Sequence, residues 1–211
     1  MQSTPSAQST PSAQSTPSAS LSYRFPFTGR NVSYGTSHSG YKAVDVFGCG
    51  ANVVSPTSGV ISQVRTSDPW DPKVDDPSTR GGHYVALIGE DNVRYYFAHL
   101  GQLSVVTGQV VVAGDMLGVM DQTGDARATV CHTHFGISWA CPQNEWLVRR
   151  GRIWPQTYLN AWREGTQLSP APEVAATKLG DQGRARKLQQ QRMRPTHSAC
   201  LTAFARHHSR R

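Results

Sequence analysis

Hydrophobic residues between positions 23 and 165 fall into short runs that are rich in β-branched side chains and are bounded by Gly and Pro. The runs cover residues 51–55, 59–64, 83–89, 93–99, 105–112 and 132–138. Short runs at this spacing are typical of the strands of an all-β domain. The pattern predicts a compact antiparallel β-sandwich or open barrel.

A later segment has the spacing of a helix. Tyr158, Leu159 and Trp162 follow Trp154 and Pro155 in the sequence. Their apolar side chains would share one face of a helix that begins near a proline. This predicts a short C-terminal helix that packs on the sheets.

Composition divides the chain into three parts. Residues 2–19 repeat Gln-Ser-Thr-Pro-Ser-Ala three times, and such an uncharged, proline-containing sequence is typical of flexible spacers. Residues 166–211 contain few large apolar side chains, which favours disorder. We therefore predict a low-complexity linker at 1–22, a folded domain at 23–165 and a basic, flexible tail at 166–211.

The formal charge of +7 belongs to the predicted tail. Residues 1–165 hold 12 Lys and Arg against 12 Asp and Glu, whereas residues 166–211 hold 9 against 2. Contact with an anionic wall or another polyanion would therefore be made by the tail. No specific nucleic-acid partner is expected for the domain.

The sequence also bears on membranes and export. No run approaches the roughly 20 apolar residues that a membrane-spanning helix needs, so a transmembrane span is excluded. Residues 1–20 lack the basic start and the apolar segment of a secretory signal peptide. We expect that export is specified outside this sequence or that its first residue is not the native start.

The strongest chemical signal is a pair of histidines two residues apart. Alternate residues of a strand share a face, so His132 and His134 project into the same space. His99 ends the run at 93–99, and His38 and Asp45 lie further upstream. These five residues are of the types that bind zinc or transfer protons. The alternative for the pair is that one is a structural histidine, hydrogen-bonded to the backbone.

The order of these motifs resembles the lysostaphin-type (LytM-like) zinc endopeptidases, which cut peptide bonds in bacterial peptidoglycan. The resemblance runs from residue 38 to residue 137 through Asp45-Val46, residues 54–60, Phe97-Ala98-His99-Leu100, residues 108–118 and His132-Thr133-His134-Phe135. The extension at 146–162 is similar to that of an actinobacterial subgroup. The resemblance implies a secreted or cell-envelope protein.

The resemblance also implies a role for each residue of the constellation. The family's metal ligands fall on Asp45 and His134, and its two catalytic histidines fall on His99 and His132. Zinc that is held by two imidazoles and one carboxylate keeps a fourth position open, where the pKa of a water falls to about 7. Histidines free of the metal have pKa values suited to general acid and base catalysis. We therefore expect one zinc ion, with His99 and His132 acting jointly in the hydrolysis of peptidoglycan peptides.

The remaining ligand departs from the family pattern. The family usually places it four residues before the aspartate, where this chain has Tyr41, while His38 lies seven before. On an unbroken strand His38 would face away from Asp45, so it can bind metal only if Gly40 allows a bend. The actinobacterial subgroup that the chain resembles has a histidine at the shifted position, followed by a tyrosine, which favours His38. Without His38 the alternative is a catalytically degenerate domain that binds cell wall or regulates a partner hydrolase.

The disulfide state of the four cysteines stays open from sequence alone. Cys131 and Cys141 bracket the histidine strand and its following turn, so they could pair in an oxidising compartment, and Cys49 lies in the turn after Asp45. Free thiols agree equally well with the sequence. Cys200 in the tail is expected to be unpaired.

Overall fold

The fold is described from a computed structural model, which describes residues 21–142 and 144–193. Over these residues the chain forms two antiparallel sheets and three α-helices. The strands are β1 (Phe27–Thr28), β2 (Ser33–Tyr34), β3 (Val44–Phe47), β4 (Asn52–Val54), β5 (Gly59–Arg65), β6 (Tyr84–Gly89), β7 (Val93–Ala98), β8 (Leu100–Leu103), β9 (Val110–Val111), β10 (Met116–Met120) and β11 (His132–Trp139). The helices are α1 (Trp146–Arg149), α2 (Gln156–Arg163) and α3 (Ala171–Met193).

The strands form one sheet of four, in the order β1-β4-β10-β8, and one of seven, in the order β2-β3-β11-β7-β6-β5-β9. Every pairing is antiparallel. The predicted all-β fold class is therefore confirmed. Helix α2 is also where the sequence predicted a short C-terminal helix, and its Tyr158, Leu159 and Trp162 are buried.

The two sheets pack against each other through aromatic side chains. Phe27 of the smaller sheet lies 6.3 Å from Phe97 and 6.2 Å from Phe135 of the larger one, measured between ring centres. Phe97 and Phe135 stack at 4.9 Å and are fully buried. Burial of each such ring contributes about 1.5–3 kcal/mol, so this cluster fixes the larger sheet in place.

Strand β11 lies in the middle of the larger sheet, between β3 and β7. Its register places His134 opposite Asp45 on β3 and opposite Ala98 on β7. The residue after Ala98 in the chain, His99, has a φ of 63°, a left-handed conformation that is uncommon outside glycine. At this residue the chain leaves the seven-stranded sheet and enters the four-stranded sheet as β8. Strand pairing alone therefore brings Asp45, His99 and His134 together.

Two segments differ from the sequence predictions. The run at 105–112 is not one strand, because the chain turns at Thr107 and Gly108 and only Val110–Val111 pairs as β9. The predicted tail contains helix α3, which is rich in strong helix formers and docks its first turns on the domain. Val174 is buried there, and the Tyr158 hydroxyl donates to Glu173 at 2.6 Å. The predictions for residues 1–20 and 194–211 lie outside the described residues, and the domain boundaries stay predictions.

The structure pairs Cys49 with Cys131, with the Cα atoms 5.2 Å apart, and leaves Cys141 as a free thiol. The pairing of Cys131 with Cys141 is therefore wrong. The eight residues of β11 lie between them, and a strand of that length spans about 26 Å. Cys49 instead follows β3, whose Phe47 pairs with His132. Cys200 lies outside the described residues.

Over the described residues, no helix combines the length and the apolar character that crossing a membrane requires.

Candidate active site

A groove with a volume of about 370 Å³ lies on the outer face of the seven-stranded sheet, opposite the core. All five residues of the predicted constellation line it. Other residues of its wall include Tyr41 and Arg80, Asp125 and Thr129, and Trp146, Arg149 and Arg150. The structure thus brings together in one place the side chains that the sequence pattern and the resemblance singled out.

His38, Asp45 and His134 form a compact trio of metal-ligand type. Nδ1 of His134 lies 3.0 Å from one carboxylate oxygen of Asp45, and Nε2 of His38 lies 3.6 Å from the other. One ligand atom from each residue falls within 4.8 Å of the other two. Ligands that sit 2.0–2.1 Å from a tetrahedral zinc ion are about 3.3 Å apart, so the donor set and its spacing fit zinc.

The hydrogen bonds of His134 indicate that a proton or a metal ion lies between His134 and Asp45. Its Nε2 lies 2.8 Å from the backbone oxygen of Arg150, which can only accept, so Nε2 must carry a proton. In a neutral ring Nδ1 is then a lone-pair acceptor, and it faces the Asp45 carboxylate, another acceptor. A proton or a metal ion between the two atoms resolves this conflict. The carbonyl of Arg150 also orients the ring, as second partners of metal-binding histidines commonly do.

The bend that His38 needs is present. Gly40 has a φ of 85°, and residues 35–42 form a loop before β3, so the alternation of a strand does not apply to His38. The ring of Tyr41 packs 4.4 Å from the ring of His38. Burial lowers the pKa of His38 and raises the pKa of Tyr41 to about 12. Both rings are therefore neutral near pH 7, which suits His38 to a ligand's role and Tyr41 to a packing role.

Asp45 is held ionised among these histidines. Burial opposes its ionisation, but the hydrogen bond with His134 and the nearby imidazoles together keep the pKa of Asp45 below its ordinary value. An ionised carboxylate is the form that binds a metal.

His99 and His132 form a second pair beside the trio, with ring centres 4.8 Å apart. Nδ1 of His99 lies 2.9 Å from the backbone oxygen of Thr123, and Nδ1 of His132 lies 2.7 Å from that of Val130. Each Nδ1 therefore donates, and each Nε2 lies near a carboxylate, 3.8 Å from that of Asp125 for His99 and 4.0 Å from that of Asp45 for His132. Burial, together with the charges of His134 and His132, lowers the pKa of His99 to about 3. His99 is thus a neutral imidazole at pH 7.

Sequence reasoning missed Asp125. It lies on a 3₁₀ turn at Gly124–Ala128, with its carboxylate 3.8 Å from Nε2 of His99, and burial raises the pKa of Asp125. Asp68 holds this turn in place by accepting from the Gly124 N–H at 2.9 Å. No motif around Asp125 signals its position, because the contact joins segments 56 residues apart.

His83 is a histidine outside the groove. The ring Nδ1 of His83 lies 3.1 Å from the backbone oxygen of Gly101, and the backbone N–H of His83 donates to the Thr123 hydroxyl at 3.0 Å. These contacts give it a structural role at the start of β6.

The solved structures that are similar to this chain include two peptidases of the lysostaphin and LytM type. The catalytic domain of the antimicrobial peptidase lysostaphin from Staphylococcus simulans is 24% identical, with a TM-score of 0.46, over 62% of this chain and 92% of that chain. A LytM protein from Ruminococcus gnavus is 20% identical, with a TM-score of 0.53, over 69% of this chain and 62% of that chain. The second match supports the fold, although this chain spans less than two thirds of that protein. No curated protein matches the sequence significantly.

The site lies within a stretch that carries a family signature. The sequence profile of peptidase family M23 matches residues 38–146, which is more than half of the 211-residue chain. This stretch begins at His38 and includes the other four residues of the constellation. The chain therefore belongs to peptidase family M23.

Proposed function

We propose that this protein is a zinc-dependent endopeptidase that hydrolyses peptide bonds in bacterial peptidoglycan. The observation that carries the proposal is the meeting, in one groove, of a His-Asp-His trio with two further histidines whose Nδ1 atoms are held by backbone oxygens. Membership of a peptidase family supports the reaction class. The resemblance to lysostaphin-type enzymes supports the substrate.

His38, Asp45 and His134 would hold the zinc ion. Zinc in such a site supplies a Lewis acid that lowers the pKa of a water and polarises a carbonyl. The protein's own contribution is to fix the ligands: the backbone oxygen of Arg150 sets the proton of His134 on Nε2, so that Nδ1 faces Asp45.

His99 and His132 would move the protons of the reaction. Peptide hydrolysis requires that a proton leave the attacking water and that one reach the departing amine. The Nε2 atoms of both rings face the groove, held there by the bonds from Nδ1 to Thr123 and Val130. His99 is neutral at the outset, so accepting a proton is its available first step. We assign these proton transfers to the two histidines jointly.

The substrate places the protein at the cell wall, so we propose a secreted or cell-envelope location. Residues 1–22 would act as a spacer, residues 23–165 as the catalytic domain, and the basic residues after 166 as a contact to anionic wall polymers. Salt should weaken that contact steeply.

Zinc analysis and wall digestion of the full chain test the proposal together. We expect about one zinc per chain, release of new amino groups from purified peptidoglycan, loss of this activity with a chelator and its return with zinc. A folded protein that binds peptidoglycan without zinc and without hydrolysis would support the degenerate wall-binding domain instead. That alternative arose because Tyr41 stands where the family usually has a metal ligand. It is weakened by His38, whose Nε2 lies 3.6 Å from a carboxylate oxygen of Asp45.

A further inference from the structure

Arg150 lies at the rim of the groove, with its guanidinium packed against two aromatic rings. Its central carbon is 3.8 Å from the ring centre of Tyr41 and 4.4 Å from that of Trp146. Stacking of this kind stabilises the cation and holds its plane in one orientation. Two rings therefore pack against the guanidinium, and its N–H groups point outward from its edge, where they can meet a ligand.

The backbone that carries Arg150 is anchored on both sides of the residue. The carbonyl oxygen of Arg150 accepts from His134, and that of Arg149 accepts from the buried Arg94 at 2.5 Å. The segment can approach β11 this closely because position 136 is glycine: a Cβ there would lie 2.2 Å from the Arg150 oxygen. The position of the Arg150 side chain is thus fixed relative to the metal-ligand trio.

Arg150 is not paired with a carboxylate of the protein among the described residues, unlike Arg80. Arg80, another arginine of the rim, is paired with Asp75 through two hydrogen bonds of 2.8 and 2.6 Å. In the part of the chain that the structure describes, Arg150 forms no ion pair, and its buried Nε has no hydrogen-bond partner. A cation held rigidly at the edge of a substrate groove is a site for an anion.

The geometry of the groove fits a carboxylate close to the scissile bond. The Tyr41 ring centre lies 5.7 Å from that of His134, and the Arg150 guanidinium lies 3.8 Å from Tyr41. Together these distances place the guanidinium within about 10 Å of His134, which three residues of an extended peptide cover. The two N–H groups on one edge of a guanidinium match the two oxygens of a carboxylate.

We propose that Arg150 binds a free carboxylate of the substrate peptide within about three residues of the cleaved bond. This inference rests on the proposed function, and it narrows the substrate class to peptides that bear an anionic group there, as opposed to uncharged glycine bridges. The carboxylate belongs either to an acidic side chain or to a chain terminus. Arg150 binds it with the same edge in both cases.

Matched peptides test the proposal on the full, zinc-loaded chain. One peptide carries a side-chain carboxylate and an amidated C-terminus, a second replaces the side-chain carboxylate by its amide, and a third has the amide side chain with a free C-terminus. Binding is measured by calorimetry in a His99→Ala background, and kcat/KM is measured in the otherwise unchanged protein. We expect one of the two acidic peptides to be preferred over the neutral peptide by about 10- to 100-fold, mostly through affinity and KM.

Arg150→Gln should remove this preference while zinc content stays at one per chain. Arg150→Lys should keep only a few-fold preference, because an ammonium group lacks the two parallel N–H groups that match a carboxylate. Arg163→Gln is the matched control, since the Arg163 guanidinium also packs against two rings, 4.3 Å from the centre of Phe25 and 4.8 Å from that of Tyr34, but does not line the groove. It should leave the preference intact.

Equal binding of the acidic and neutral peptides, or a preference that survives Arg150→Gln, would overturn the subsite. Cleavage of all peptides without preference would do so too, while leaving the proposed function in place. A preference in binding without hydrolysis of any peptide would instead support the subsite and refute the endopeptidase function. Arg150→Lys keeps the positive charge, so where Arg150→Gln fails to fold the question is decided by whether Arg150→Lys loses all but a few-fold of the preference.

Discussion

The two faces of strand β11 differ in the kind of structure they require. On the core face, Phe135 and Ile137 are fully buried among apolar side chains. On the groove face, His132 and His134 have polar partners, and each ring is oriented by a backbone oxygen, at 2.7 and 2.8 Å respectively. The core face needs apolar groups of suitable volume, whereas the groove face needs particular atoms in particular directions.

The site therefore takes its rigidity from parts of the protein that do no chemistry. The sheet contacts hold β11, while the backbone oxygens of Thr123, Val130 and Arg150 fix the three imidazoles. In acid, below the ordinary histidine pKa of 6.5, the groove face also reduces stability, because burial lowers the pKa of His99 and of His38 and the unfolded chain then binds protons that the folded chain does not. Changes on the groove face should therefore alter metal binding and turnover, and changes on the core face should alter stability.

His134→Ala should have the largest effect of any single change on β11, since His134 contacts Asp45 directly at 3.0 Å. Removing it leaves two ligands for zinc. We expect zinc affinity to fall by more than the roughly 10- to 100-fold that loss of a ligand's outer partner costs, and turnover to become undetectable. Metal analysis after dialysis and a peptidoglycan digestion assay measure the two effects.

His83→Ala is the control for His134→Ala, because His83 is also bonded to a backbone oxygen but lies outside the groove. It should keep its zinc and its activity, with at most a modest loss of stability. Stoichiometric zinc in His134→Ala would show that the trio is not the metal site.

His99→Ala and His132→Ala should have the next largest effect, and on turnover alone. Loss of a general acid or base typically costs about 10² to 10⁴-fold, on the order of 3–5 kcal/mol. Because neither residue belongs to the trio, both variants should keep one zinc per chain and a normal circular dichroism spectrum. Zinc loss in His132→Ala with retention in His134→Ala would mean that ligand and catalyst on β11 are exchanged.

The sequence predicted those parts of the fold and of the groove that depend on local periodicity. The alternation of a strand put His132 and His134 on one face, and the spacing of Tyr158, Leu159 and Trp162 predicted α2. Residue type alone grouped Asp45, His99 and His38 with this pair, and the family resemblance assigned a role to each. Their convergence is seen in the structure, whereas their roles stay predictions for the variants to test.

Other features depend on contacts between distant segments and could not be predicted in this way. The partner of Cys131 is set by the pairing of β3 with β11, and the place of Asp125 is set by Asp68. Helix α3 was missed for another reason. Its few apolar residues indicated disorder, but buried Val174, the hydrogen bond from Tyr158 to Glu173 and the ion pair of Arg152 with Asp181 dock it, and its strong helix formers extend it.

Ile137→Val should have the smallest effect and test the core face alone. Ile137 is fully buried three residues beyond His134, and losing one methyl group in a packed core costs about 0.5–1.5 kcal/mol of unfolding free energy. Because the change does not reach the groove, zinc stoichiometry and kcat should match those of the unchanged protein. Urea unfolding, with and without zinc, measures the cost, which should be the same in both forms because zinc adds its own stabilisation to each protein equally. A larger cost in the zinc-loaded form, or a clear fall in kcat, would show that the faces are coupled and that core packing on β11 tunes the site directly.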